Sequence, residues 1–174
     1  MRKPSAKVVS FLAVTPFLLG FDVWTKDRAR ELQAGEQVEV IHGWVSLIHA
    51  ENPDIAFSMQ VPHALIYACA AIMLVAMAHM LWNLKADAVL PAAAIGAITA
   101  GAVGNLVDRL ADGSVTDFMR LDAGNAGLRT WAIETFGTAT WPIFNVADVA
   151  LVGGMGLFVI GQMFEEEPQD PNGS

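Results

Sequence analysis

The chain has 174 residues, 54% of them hydrophobic and only 16% charged, with a formal net charge of -8. So apolar a composition excludes an ordinary soluble domain and points to an integral membrane protein; so acidic a balance excludes a nucleic-acid partner, which calls for basic patches. The one cysteine, Cys69, lies inside an apolar run, which excludes a disulfide framework and a thiolate metal site.

Four apolar runs stand out, at about 8–24, 62–81, 88–107 and 143–164. Each approaches the ~20 residues that a helix needs to cross the hydrocarbon core, and in lipid each must be helical to satisfy its backbone. The first run follows Arg2, Lys3 and Lys7, the basic region of a signal peptide, but no small-x-small cleavage site follows it, so it is expected to remain as a first membrane helix. Thr25–Ala34 is charged with a helical period and is expected to form a short amphipathic helix stopped by Gly35. Val38, Val40, Val45 and Leu47 alternate around His42-Gly43, which predicts two short strands and a turn. Asn52-Pro53-Asp54 marks a second turn.

In the third run Ala92, Gly96, Ala100 and Gly104 recur every four residues, the small-xxx-small pattern that lets a neighbouring helix approach closely. Gly153, Gly154 and Gly156 are expected to do the same in the fourth. Leu121–Thr140, with Gly124, Gly127 and Gly137, reads as an extended loop or strand region. The expected organisation is one membrane domain over residues 1–164, mainly α, with an outer cap from 25–61 and 108–142. An acidic, Pro-containing tail over 165–174 is expected to be disordered.

With four spans both termini share a side. Placing them inside puts Arg2, Lys3, Lys7 and Lys85 inside and six basic residues outside, so the raw count does not follow the positive-inside rule. The inner segments are much shorter, and the N-terminal cluster of Arg2, Lys3 and Lys7 decides for termini inside. Asp22 then ends the first helix, Asn105 and Asp108 end the third, and Asn145 and Asp148 begin the fourth, so all gather at the outer face. Trp24, Trp44, Trp131 and Trp141 flank the same boundary as an aromatic belt.

Asn105/Asp108 and Asn145/Asp148 are i,i+3 pairs, each presenting an amide and a carboxylate on one helix face. Ionisable groups at the rim of membrane segments are expensive and read first as functional. Two close carboxylates in a low-dielectric site share one proton. Such a pair can hold a water, deprotonate it with one member and protonate the substrate with the other. Spacing alone does not choose the pair among Asp22, Asp108, Asp117 and Asp148. Asp108 and Arg109 also read as a local ion pair, and Asp148 as a helix cap. His42, His49, His63 and His79 show no metal-ligand spacing, so they are expected to be solvated or packed. Asp27, Asp87 and Asp112 read as solvated.

These residues resemble the motifs of lipoprotein signal peptidase, the type II signal peptidase of bacteria. Asp22-Val23-Trp24-Thr25-Lys26, Gly104-Asn105-Leu106-Val107-Asp108-Arg109, Val115-Thr116-Asp117-Phe118 and Phe144-Asn145-Val146-Ala147-Asp148 are similar to its four boxes, in the same order along nearly the whole chain. The resemblance implies a four-helix aspartyl peptidase of the bacterial inner membrane with a small periplasmic β-cradle. It implies removal of signal peptides from diacylglyceryl-modified prolipoproteins, just before the lipidated cysteine, with no metal or organic cofactor. It implies Asp117 and Asp148 as the catalytic dyad, with Asn52, Asn105, Asp108, Arg109 and Asn145 lining or bracing the site and Asp22 supporting it. Partners are then lipid-modified precursors and membrane lipid, and the protein is expected to be a monomer with cytoplasmic termini. One departure concerns Asn52-Pro53-Asp54-Ile55-Ala56-Phe57, where Asp54 stands in place of the family's glycine; the loop over 121–140 is also longer than usual. Two other readings are a catalytically silent signal-peptide binder and a small transporter. A transporter would spread acids through the membrane depth, whereas these spans are nearly acid-free away from the outer rim.

Overall fold

The computed structural model describes residues 3–33, 35–53 and 61–165. Their elements follow in the order α1 (Ala6–Arg30), β1 (Gln37–Ile41), β2 (Val45–Asn52), α2 (His63–Asn83), α3 (Val89–Asp112), β3 (Val115–Leu121), α4 (Ala126–Phe136) and α5 (Val146–Glu165). α1, α2, α3 and α5 are long and apolar enough to cross a membrane. The protein is therefore mainly α, with four candidate spans and one small antiparallel sheet.

α3 is the axis of the bundle, with α1 on one side and α5 on the other. Its small residues set both distances. A Cβ at Gly96 would press on Phe11, Val14 and Thr15 of α1, and one at Gly101 would meet the Ala147 carbonyl and Leu151 of α5. Gly154 returns the contact against Ala94 and Ile98. Gly153 and Gly156 have nothing within 4 Å, so of the three glycines expected to pack in the last span only Gly154 does so. α2 lies at the periphery against α3 with no buried residue. It is apolar all round, as suits a helix bathed in lipid.

β1, β2 and β3 form a sheet in that order, both pairs antiparallel. Gly43, at φ +73°, turns β1 into β2. On the free side of β3 a short extended segment pairs through Met119↔Phe144 and Asp122↔Thr140. Phe144 exchanges backbone hydrogen bonds with Met119 at 3.1 and 2.8 Å, which holds this segment extended, so α5 begins at Val146 and not at the expected 143.

Three further expectations are corrected. Thr25–Ala34 is not a separate helix, because no Pro or Gly interrupts residues 21–34 and α1 runs unbroken to Arg30. α3 extends beyond residue 107 to Asp112, where Gly113 at φ +76° ends it, so Asp108 lies inside the helix. The region 121–140 is not simply extended, for it holds α4. Asn125 caps α4 by accepting from Leu128 N at 2.8 Å, and Gly137 ends it at φ +76°. Glycines at 124 and 137 that read as loop signals thus bracket a helix. The expected tail over 166–174 and the Asp54 substitution lie outside the described residues.

Candidate active site

The site forms where α1, α3, β3 and the start of α5 meet. Asn145 and Asp148 close a reciprocal capping box on α5. Asp148 N donates to Asn145 Oδ1 at 3.0 Å, and Asn145 N donates to Asp148 Oδ2 at 3.2 Å. This satisfies orphan amides of the first turn and places a carboxylate where the helix dipole favours it. Asp148 is therefore a helix cap, but its other oxygen faces inward and accepts from Asn105 Nδ2 of α3 at 2.8 Å.

Asp117 sits at the third position of β3 and is 4% exposed. Its Oδ1 accepts from Asn145 Nδ2 at 2.7 Å and its Oδ2 from Asn52 Nδ2, at the end of β2, at 2.9 Å. Asn145, fully buried, also donates to Asn105 Oδ1 at 3.1 Å and to the Thr116 carbonyl at 3.4 Å. One amide thus ties Asp117 to Asn105, which holds Asp148. Burial pushes the Asp117 carboxyl up from 3.8 to about 6. The Asn52 hydrogen bond opposes that rise, and the charge of Asp148 adds to it.

Behind the carboxylates lies an ion network. Lys26, 1% exposed, meets Asp22 Oδ2 at 2.8 Å and Asp108 Oδ2 at 2.9 Å, and donates to Asn105 Oδ1 at 3.1 Å. Its three protons match these three acceptors. Asp22 Oδ1 accepts from Ala147 N at 2.8 Å, fastening α1 to the first turn of α5. Asp108 also takes Arg30 Nη2 at 3.2 Å and Thr116 N at 3.3 Å. A buried network of this kind adds little net stability, but removing one partner leaves an uncompensated charge at a cost of about 3–5 kcal/mol. Its use here is to fix Asn105 and β3.

All eight residues expected in the site are brought to this region. Asp117 and Asp148 face each other's amide clamps, Asn52, Asn105 and Asn145 form the clamps, and Asp22 and Asp108 sit one layer behind. Arg109 donates to the Asn105 carbonyl at 3.3 Å, and its own carbonyl accepts from Tyr67 of α2 at 3.1 Å. The ion partners of Asp108 are Lys26 and Arg30, which replaces the expectation of a local Asp108–Arg109 pair. Lys26, Arg30 and Thr116 were not singled out as site residues. Asp22, Lys26 and Arg30 are spaced by four at the end of an apolar helix, and that spacing was the available signal. Asp27, Asp87 and Asp112 are exposed. Among the described residues no cluster of His, Cys, Asp and Glu has the makings of a metal site.

Four apolar spans that close on amide-held carboxylates define a polytopic membrane protein with an acidic candidate site. Residues 14–164 match the family model of signal peptidase (SPase) II. The chain is 33% identical to a lipoprotein signal peptidase of Chlorobium luteolum, covering 88% of this chain and 90% of that one. It is 32% identical to one of Geobacter sulfurreducens, covering 97% and 99%. Its fold is shared with two solved bacterial membrane enzymes. The TM-scores are 0.78 over 100% of this chain and 99% of the other at 22% identity, and 0.75 over 97% and 100% at 23%. The chain belongs to the signal peptidase II family and is a lipoprotein-processing protease.

Proposed function

We propose that Asp117 and Asp148 are the catalytic dyad, and that they cleave the signal peptide from diacylglyceryl-modified prolipoproteins just before the lipidated cysteine. The observation that carries this is the amide bridge Asp117–Asn145–Asn105–Asp148. It holds a buried carboxylate and a half-buried one on a shared set of neutral donors, so the pair shares one proton up to a pH of about 6.

That proton resides on Asp117, whose carboxyl is pushed up to about 6. Asp148 takes a proton from water as the water oxygen attacks the scissile carbonyl carbon, while Asp117 protonates the carbonyl oxygen. On collapse Asp148 returns its proton to the leaving amide nitrogen, Asp117 recovers its own from the hydroxyl, and the C–N bond breaks. Asn105 and Asn145 set the carboxylate planes, and Lys26, Asp22 and Asp108 hold Asn105. The chain acts as a monomer, with its termini in the cytoplasm and the dyad at the periplasmic face of the inner membrane. That depth suits a substrate whose lipid stays in the bilayer.

The test is cleavage of a diacylglyceryl-modified precursor by the purified protein in detergent, followed as a gel shift. Wild type is expected to release the signal peptide, and Asp148→Asn to release none while remaining folded. Cleavage by Asp148→Asn would remove Asp148 from the dyad.

A further inference from the structure

The catalytic reading leaves the lobe around α4 unused. Large apolar side chains there face outward, with Trp131 54%, Phe136 68% and Trp141 64% exposed. So much exposed apolar area outside a span marks an interaction surface. Between α4 and the far end of the sheet lies a cavity of about 680 Å³, walled by Trp44, Leu121, Leu128, Trp131, Phe136 and Trp141. The Trp44 indole that walls it lies against Gly124, where a Cβ would meet the ring.

Its few polar side chains are already bonded to one another. Thr140 Oγ1 donates to Asp122 Oδ1 at 2.7 Å, Arg120 Nε meets Asp122 Oδ2 at 3.0 Å, and Thr138 Oγ1 bonds both backbone groups of Thr140. A peptide laid in the cavity would find little to pair its backbone, whereas a hydrocarbon chain needs no partner. A polar groove of about 220 Å³ shares Trp44 and Asp122 with the cavity and carries Arg120 and Arg129. Arg120 is held by Asp122. Arg129, exposed on α4, has no carboxylate within 4.0 Å among the described residues. An apolar chamber beside an exposed guanidinium, whose charge also reaches Asp122, fits an amphiphile with a phosphate head. The lobe is continuous with the membrane-spanning surface, since Trp141 and Pro142 lead into α5 at Val146.

We propose that the α4 lobe binds a glycerophospholipid of the surrounding membrane, with one acyl chain in the cavity and the phosphate on Arg129. The site is separate from the dyad. Leu121 lies four residues along β3 from Asp117, roughly 13 Å at strand rise. The lipid would anchor the segment that joins β3 to α5, and so the two strands of chain that carry Asp117 and Asp148.

The test uses the full chain in nanodiscs made with phospholipid brominated on its acyl chains. The emission difference between wild type and Trp131→Phe isolates Trp131. Quenching of most of that emission is expected; Trp131 that brominated lipid leaves unquenched would overturn the proposal. In detergent the protein is then titrated with a short-chain phosphatidylglycerol and with the matching diacylglycerol, which lacks phosphate. Wild type is expected to prefer the phospholipid by about tenfold, the factor that one charge-assisted contact carries, and Arg129→Gln to remove the preference. Equal binding of both by wild type would overturn the phosphate assignment. Relief of Trp131 quenching on adding unlabelled lipoprotein precursor would assign the cavity to substrate instead.

Discussion

Asp117→Asn separates what the site needs from what the fold prefers. The wild-type carboxyl is raised from 3.8 to about 6 by burial, opposed by the Asn52 hydrogen bond and reinforced by the charge of Asp148. A group raised in the folded state stabilises the protein fully below its unfolded value and loses that contribution as pH rises through its folded value. The difference corresponds to about 3 kcal/mol at 1.36 kcal/mol per unit of pKa. Because Asp117 is only 4% exposed, solvent screening takes little from that figure. An amide has the shape of the protonated acid and does not titrate. Wild type and variant should therefore be about equally stable near pH 4, and the variant more stable by about 3 kcal/mol at pH 7. Cleavage should be absent in the variant at every pH. Equilibrium unfolding in mixed micelles, followed by circular dichroism at both pH values, reads the first quantity. Parallel stability curves, or a variant weaker than wild type at pH 7, would mean that Asp117 ionises freely in the fold and would refute the proton-sharing argument.

Four further outcomes are expected. On the alkaline side of about 6, wild-type kcat/KM should fall by about tenfold per pH unit as Asp117 loses its proton; a flat profile to pH 9 would place the essential proton elsewhere. Asn52→Ala removes a hydrogen bond that lowers the Asp117 carboxyl, so the alkaline limb should move to higher pH, and a shift to lower pH would contradict that assignment. Lys26→Met leaves Asp22 and Asp108 without their shared cation and should cost about 3–5 kcal/mol, measured as a lowered unfolding midpoint that the double change with Asp22→Asn partly restores. Gly101→Ala drives a methyl into the Ala147 carbonyl and Leu151 and should destabilise by about 1–3 kcal/mol. Gly153→Ala, with open space around it, should be neutral or gain up to about 1 kcal/mol; equal effects at both positions would undo the account of α3–α5 packing.

The legible parts of this protein are those where chemistry and helical spacing coincide. Asn145 and Asp148 were readable because an i,i+3 amide–carboxylate pair at the start of an apolar run is both a capping box and an expensive placement. The same logic extended to Asp22, Lys26 and Arg30, yet only Asp22 was singled out, since the residues after Trp24 read as a separate amphipathic helix. Recognising that no breaker interrupts residues 21–34 would have carried α1 through and placed both cations on the face of Asp22. β3 and α4 were harder. Val115–Leu121 has no strict alternation because its first four residues are all buried, pressed between β2, the bundle and the segment before α5. Of the glycines that signal a loop, Gly124 and Gly137 flank α4 and Gly127 lies in its first turn, and the apolar spacing of Leu128, Ala132 and Phe136 serves a cavity in place of the common core.

Spacing does not choose which carboxylates pair, and the proposed choice rests on their partners in the fold. Asp22, Asp108, Asp117 and Asp148 are alike in sequence, each an acid near a rim. The structure divides them by the charge of their partners. Asp22 and Asp108 meet Lys26 and Arg30, cations that offset their charge. Asp117 and Asp148 meet asparagine amides, which orient a carboxylate without cancelling its charge. A pair clamped by neutral donors keeps its mutual repulsion, which adds to burial in raising the Asp117 carboxyl. In the proposed mechanism the three asparagines are therefore as necessary as the two acids. Replacing Asn105 with Asp would add a carboxylate between Lys26 and Asp148, and the dyad would be expected to lose activity with the bundle still assembled, read as lost precursor cleavage beside an unchanged helical content.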